Sequence, residues 1–244
     1  AAIRSWGAQV RRRPMVSIRA KRRTTSKTRV MAQGQQLMRT DWEDRSPVAS
    51  AAETDLVELI RSGSGIDAIF VSDYAKGVVS ESVMATILQA KARAECPVIV
   101  DPKGRDFSKY RGVTSISPNE LEALGATNRD RGGEDDVIRS GHDLVEQLDL
   151  DAVYLTRSGK GASVFERGGT VAHVPATNHE VYDAAGAGDS AAAAYSLAIV
   201  SGSSHPEASC VGNLAGGIVV GKVGVATASI DEILQAGEEL AGEE

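Results

Sequence analysis

From residue 50 onward the chain alternates short apolar runs with longer segments of helical periodicity, and this alternation limits the possible folds more than any other feature. Residues 51–62 (AAETDLVELIRS) place Leu56, Leu59 and Ile60 at helical spacing, and DAIFVSD at 67–73 reads as a buried strand. Ser80 is expected to cap a helix over SESVMATILQAKARAE, whose Val83, Ile87 and Leu88 form one face, before PVIVD at 97–101 supplies the next strand. The unit recurs as TSIS (114–117) followed by NELEALG, and as DVIRSGHDLVEQLD followed by AVYLT (152–156). Repeated β-α-β units predict an α/β fold, a mainly parallel sheet flanked by helices. GASVFERGGTVAHV at 161–174 alternates with period two about Gly168-Gly169, which predicts a hairpin at the sheet edge. Small-residue helices over DSAAAAYSLAIVSG and PEASCVGNLAGGIVVGKVG follow, and an acidic helix from Asp231 closes the chain.

In open α/β sheets ligands sit beyond the carboxyl ends of the strands. That rule gathers the loops at 73–77, 101–104, 117–122, 156–161 and 183–189 along one edge. The sharpest of them is DAAGAGDS at 183–190, which runs directly into a helical stretch. A helix start without bulky side chains exposes backbone N–H groups and the positive end of the dipole, so an anion can come close. Ala185, Gly186, Ala187 and Gly188 would form such an anion hole, and Asp189 beside them could take a proton from a hydroxyl that attacks a phosphoryl group. Three other readings stand beside this one. The residues G-A-G-D-S-A also fit a dinucleotide fingerprint, though without a strand immediately before them. Gly-Asp-Ser evokes a serine hydrolase, yet there is no G-x-S-x-G elbow. Asp189 as a plain capping acid is the third reading. SGKG at 158–161 is no Walker A loop, because Lys160 is followed by Gly161, and it reads as a strand-end turn against which a nucleotide could lie.

Charge divides the chain unevenly. Residues 1–30 hold ten Lys or Arg and no acid, leaving 17 basic residues against 33 acidic ones beyond them. The acidic body and an aromatic content of only 4% argue against a nucleic-acid partner. The basic head reads as a nucleic-acid arm, a transit peptide or a part of the fold. Cys96 and Cys210 form no C-x-x-C pair, and His142, His173, His179 and His205 show no H-E-x-x-H spacing, so neither a disulfide framework nor such a zinc site is expected. No apolar run approaches ~20 residues, so no membrane span is expected.

Taken with its neighbours, the GAGD segment resembles the signature of the ribokinase-like (PfkB) carbohydrate kinases. Asp183 matches the upstream Asp of that signature, and PNELE at 118–122 is similar to the family's N-x-x-E motif. The turn at 156–161 resembles the family's nucleotide-side turn, and Asn213 a polar position beside the adenine pocket. Within the family the likeness is closest to kinases of D-glycero-β-D-manno-heptose 7-phosphate. It is carried by TSKTRV (25–30), QQLMRTD (35–41), SDYAKG (72–77), DPKG (101–104), LTRS (155–158) and GIVVGK (217–222).

The resemblance implies a ribokinase-like fold with a partial β lid at about 24–45, and phosphorylation of the heptose 7-phosphate at O1 by ATP. It implies Asp189 as base. ATP would be bound by Asn119, Glu120, Leu121, Glu122, Thr156, Ser158, Gly161 and Asn213, and Mg2+ held through Glu122 and Asp183. A monovalent cation is a further implied cofactor. Lys76, Lys103, Asp101 and Arg29 fall where a sugar phosphate would bind. A cytoplasmic enzyme is expected, with a homodimer through the lid strands. Another sugar of fructose or ribose type, or a nucleotide-binding remnant without turnover, are the alternatives. Family members open with a Gly-Asp strand and a Gly-Gly-x-x-x-Asn segment that this sequence does not supply. The expectation is therefore a kinase domain over 24–244 without its first sugar-binding quarter, preceded by a basic segment at 1–23 of unassigned role, and with no adenylyltransferase half. Ser190 stands where the heptose kinases carry Thr.

Overall fold

The computed structural model describes residues 22–32, 35–129, 133–177 and 183–242. The Arg11-Arg12-Arg13 run, with the rest of the head before residue 22, lies outside the described residues. The described chain opens with an antiparallel ribbon of β1 (Ser26–Ala32) and β2 (Gln35–Trp42), the expected lid strands. Helix α1 (Ser50–Ser62) then leads into the main sheet, which runs β3 (Ile69–Ser72), β4 (Val98–Asp101), β5 (Ser115–Ile116), β6 (Ala152–Thr156), β7 (Ala162–Glu166), β8 (Val171–Val174) from edge to edge. Strands β3 to β6 are parallel, and β7 and β8 add on antiparallel as the expected hairpin.

Sequential order among parallel strands with crossovers of one hand puts their connecting helices on one face. Helices α2 (Glu81–Ala94), α3 (Glu120–Ala126) and α4 (Glu134–Leu148) join α1 there, over Val71, Val98, Val100, Val153 and Leu155. The alternate residues Ile99, Tyr154 and Val164 point the other way, into α5 (Ala187–Val200), α6 (His205–Val220) and α7 (Ile230–Gly242). Burial on both faces is why β4 and β6 read as unbroken apolar runs instead of alternating with polar residues. Helices α5 and α6 approach closely because their contact is made of Ala191, Ala194 and Ala198 against Ala208, Val211 and Ala215. A Cβ added at Gly212 would lie 2.8 Å from the Ala191 carbonyl oxygen and 2.8 Å from the Tyr154 hydroxyl, so only glycine lets that helix down onto β6.

Several local expectations hold in detail, and others shift. Ser80 caps α2, its Oγ accepting from the Val83 N–H at 3.2 Å. In α1 the buried residues are Ala52 and Val57, while Leu59 is 39% exposed, because the helix lies over the sheet margin on a narrower stripe than its leucines imply. α5 starts at Ala187, two residues before the helical run was expected, which brings Asp189 into its first turn. α6 stops at Val220, leaving the GKVG stretch in a loop. Among the described residues no helix is long and apolar enough to cross a membrane.

Candidate active site

Two clefts open at the carboxyl ends of β3 to β6, and they meet at one helix start. The larger encloses about 700 Å3 between the turn after β6 and the small-residue faces of α5 and α6. Asn119, Glu120, Leu121, Thr156, Ser158, Gly161 and Asn213 all line it, as do Ala187 and Gly188. Its floor is Tyr154, whose ring stacks on Tyr195 at 4.6 Å. The turn is a short 3-10 segment, Ser158–Lys160, closed by Gly161 at φ +86. A side chain at 161 would meet the Val174 carbonyl oxygen at 2.0 Å, so glycine is required for the turn to fold back against the strand. Asn213 donates from Nδ2 to the Pro175 carbonyl at 2.7 Å and ties α6 to the far wall.

The smaller cleft, about 210 Å3, is lined by Asp73, Tyr74, Asp101, Lys103, Ser117, Glu122 and Asp189, and it shares Asn119, Thr156 and Gly188 with the larger. Asp101 ends β4, half-buried; burial first, then the negative charges of Asp189 and Glu122, push its carboxyl up to about 7. Burial alone would pull Lys103 down, but its hydrogen bond to Glu122 and the charge of Asp101 hold it above the ordinary lysine value.

At the start of α5 the four expected anion-hole residues differ in what their amides meet. Gly186 caps the helix at φ +85. The Ala185 N–H donates to Asp183 Oδ1 at 2.9 Å and the Ala187 N–H to the Ala184 carbonyl at 3.3 Å. The amides of Gly186 and Gly188 have no acceptor among the described residues, and the Gly188 Cα faces open space. Asp189 stands one residue on, at the wall of the smaller cleft.

The N-x-x-E motif has a structural meaning of its own. Asn119 Oδ1 accepts from the Glu122 N–H and Glu122 Oε2 from the Asn119 N–H, both at 2.9 Å, a reciprocal cap on α3. Glu122 Oε1 accepts from the Lys103 ammonium. Lys76 and Arg29 line neither cleft. Lys76 pairs with Glu43 at 3.3 Å, and Arg29 sits on the exposed ribbon directly opposite Arg39.

Two further residues belong to the site, both within segments of the resemblance, SDYAKG and LTRS, that assign them no role. Tyr74 donates to Asp189, its hydroxyl 3.2 Å from both carboxylate oxygens. Arg157, 6% exposed, reaches Glu134 at 2.5 Å, Ser163 at 3.3 Å and Glu120 at 3.5 Å, joining α4, β7 and α3 behind the turn. A single arginine directly after the apolar strand end was the available signal for the second; the first follows only from loops 115 residues apart.

The description "pfkB family carbohydrate kinase" matches residues 11–233. The chain is 39% identical over 218 residues to the bifunctional protein HldE of Syntrophotalea carbinolica, and 41% identical over 214 residues to that of Geobacter metallireducens. These matches cover 89% and 87% of this chain but 44% of each relative, so the chain spans less than half the length of the curated relatives it matches. Among solved structures it is similar to phosphofructokinase-2 from Escherichia coli in complex with substrates and products, with a TM-score of 0.73 at 22% identity over 89% of this chain and 70% of that one. Ribokinase from Arabidopsis thaliana, complexed with ribose and ATP, gives 0.66 at 20% identity over 82% and 65%. Those two likenesses show the fold.

Proposed function

The chain belongs to the pfkB family of carbohydrate kinases, and from that membership we propose an ATP-dependent phosphoryl transfer to O1 of D-glycero-β-D-manno-heptose 7-phosphate. One observation carries the chemistry: two clefts of unequal size meet at Gly188, with an aspartate and amides that have no acceptor among the described residues at the junction. ATP would lie in the larger cleft, its adenine toward Asn213 and its phosphates running along the 156–161 turn to the start of α5. The Gly186 and Gly188 N–H groups would receive the charge that builds on the transferred phosphoryl group, which is where such donors lower a barrier most. Asp189 would accept the proton of the sugar hydroxyl in the smaller cleft, and Lys103 would neutralise phosphate charge from its position on Glu122.

A divalent ion fits the donor set as one carried in on the phosphates. Among the described residues no three ligating side chains converge, whereas Mg2+ is commonly held by one or two carboxylates with phosphates and water. Glu122, with a second contribution from Asp183, would hold it, and it would supply neutralisation of the phosphate oxygens. A monovalent cation belongs to the same reading. The heptose assignment draws on the six segments described above and on the HldE relatives. Lys76 and Arg29 lie outside both clefts, so a role for them in binding the sugar's own phosphate needs the ribbon to approach. Val30, Met38 and Trp42 are exposed on one face of that ribbon, which supports a homodimer through it. We place the enzyme in the cytoplasm, with its ATP.

The test is ADP release over a panel of sugars and sugar phosphates, with Asp189→Asn alongside. The heptose 7-phosphate should give the highest kcat/KM, and Asp189→Asn should lower kcat by about 10²–10⁴ with ATP affinity retained. Near-wild-type turnover by Asp189→Asn would remove the base. ATP binding without turnover on any sugar would mean a nucleotide-binding remnant.

A further inference from the structure

The loop that follows β3 is fixed more firmly than an exposed turn needs to be. Asp73, 4% exposed, accepts from Lys109 Nζ at 2.6 Å, from the Tyr110 hydroxyl at 2.7 Å and from the Ala75 N–H at 2.8 Å. Ala75 is held in the left-handed region at φ +52, a conformation that costs a non-glycine residue energy and persists only where its surroundings impose it. Gly77 closes the loop against Ser46, where any Cβ would fall 2.0 Å from a carbonyl oxygen. Between these two anchors the chain presents Tyr74 to Asp189, with the hydroxyl at 3.2 Å from each carboxylate oxygen. A single phenolic proton set between two oxygens fixes the rotation of the carboxylate as well as its position. Burial and then the Asp189 charge raise Tyr74 above the ordinary tyrosine value, so the phenol stays a donor at neutral pH.

We propose that Tyr74 is a positioning residue for phosphoryl transfer: its hydroxyl holds the Asp189 carboxylate in the orientation that receives the acceptor's proton. The proposal deepens the function given above and takes from it the assignment of Asp189 as base. Asp73, Lys109 and Tyr110 enter as the support that keeps the tyrosine in place. Nothing in this role requires the phenol to touch substrate.

Tyr74→Phe keeps the ring and removes only the hydroxyl. It should lower kcat about tenfold while KM for ATP stays within about twofold, because only the step that uses Asp189 is affected. In the Asp189→Asn background the same change should alter the residual rate by less than about twofold, since two residues acting through one group do not add. Wild-type kcat in Tyr74→Phe would overturn the proposal. So would an undiminished tenfold loss in the Asp189→Asn background, which would put the phenol on the substrate itself. A second readout needs no turnover. With tyrosine labelled with 13C at Cζ, the Tyr74 resonance should titrate at lower pH in Asp189→Asn than in wild type, Asp101, Lys76 and Lys103 being the other charges about it. Coincident titrations would overturn the contact. A chain that phosphorylates no sugar but shows the shifted titration would defeat the functional reading and leave the Tyr74–Asp189 contact standing.

Discussion

A carboxyl that faces two other acids from a half-buried strand end keeps its proton to a higher pH than the same group in an unfolded chain. Asp101 is in that position: burial, Asp189 and Glu122 together raise it from 3.8 to about 7. Between those two values the folded chain binds a proton that the unfolded chain has released, so the group's contribution to stability falls as pH rises from about 4 through about 7 and is level above that. Asp101→Asn removes the dependence. Its thermal midpoint should match wild type near pH 4 and exceed it by about 8–16 °C at pH 8, because raising the carboxyl from 3.8 to about 7 amounts to about 4 kcal/mol in a chain where each kcal/mol moves the midpoint by about 2–4 °C. Scanning calorimetry of both proteins across that range reads it directly, and parallel curves would show that Asp101 ionises normally. The neighbouring Lys103 interacts with both Asp101 and Glu122, so it offsets the repulsion without abolishing it.

Arg157 shows how elements at the cleft depend on one buried side chain. Its guanidinium links the first turns of α3 and α4 and stands at the base of the 158–161 turn. Removing it leaves Glu120 without this cation and Glu134 with only the more distant Lys160 at 3.7 Å, although both acids are partly exposed, at 30% and 52%, and water would take over part of the charge. Arg157→Met should therefore cost about 2 kcal/mol, well under the penalty for breaking a fully buried pair, and lower the thermal midpoint by about 4–8 °C. Because α3 carries Asn119 and the turn carries Ser158, KM for ATP should rise about tenfold with a smaller change in kcat. Steady-state kinetics against ATP at saturating sugar would check this, and an unchanged KM would separate the turn from nucleotide binding. The same scale explains the Asn119–Glu122 motif. Its capping geometry is local and would form on any helix, whereas its place between the two clefts comes from the parallel bridge between Asn119 and Thr156.

For the molecule as a whole, a cleft built from two helix faces and three strand ends predicts that nucleotide and fold stabilise one another. ATP with Mg2+ at about 100 times its dissociation constant should raise stability by about 2.7 kcal/mol, some 5–10 °C in the thermal midpoint. Thermal shift with ATP, against GTP and against no nucleotide, measures this, and a midpoint indifferent to ATP would contradict the placement of the nucleotide in the larger cleft. Much of the architecture could be read in advance. The runs that became β4 and β6 are apolar without a break, the Gly168-Gly169 turn flips the chain into its hairpin, and Ser80 caps as its spacing predicted. The GAGD segment was legible too, since a helix start rich in glycine is a local property of a few consecutive residues. Less visible were the length of β5, cut to two residues, and the exposure of Leu59, because both depend on what packs opposite. The sequence by itself determined the α/β class, the order of its elements and the segment at 183–190, which follow from periodicity and short-range chemistry, while its motifs carried the resemblance to the family. Only the tertiary structure decided that the Gly186 and Gly188 amides find no acceptor among the described residues while those of Ala185 and Ala187 do, that Lys76 turns to Glu43 and Lys103 to Glu122, and that Tyr74 meets Asp189. Those contacts join residues far apart in the chain, and only the packing of helices on the sheet fixes the distances across which they form.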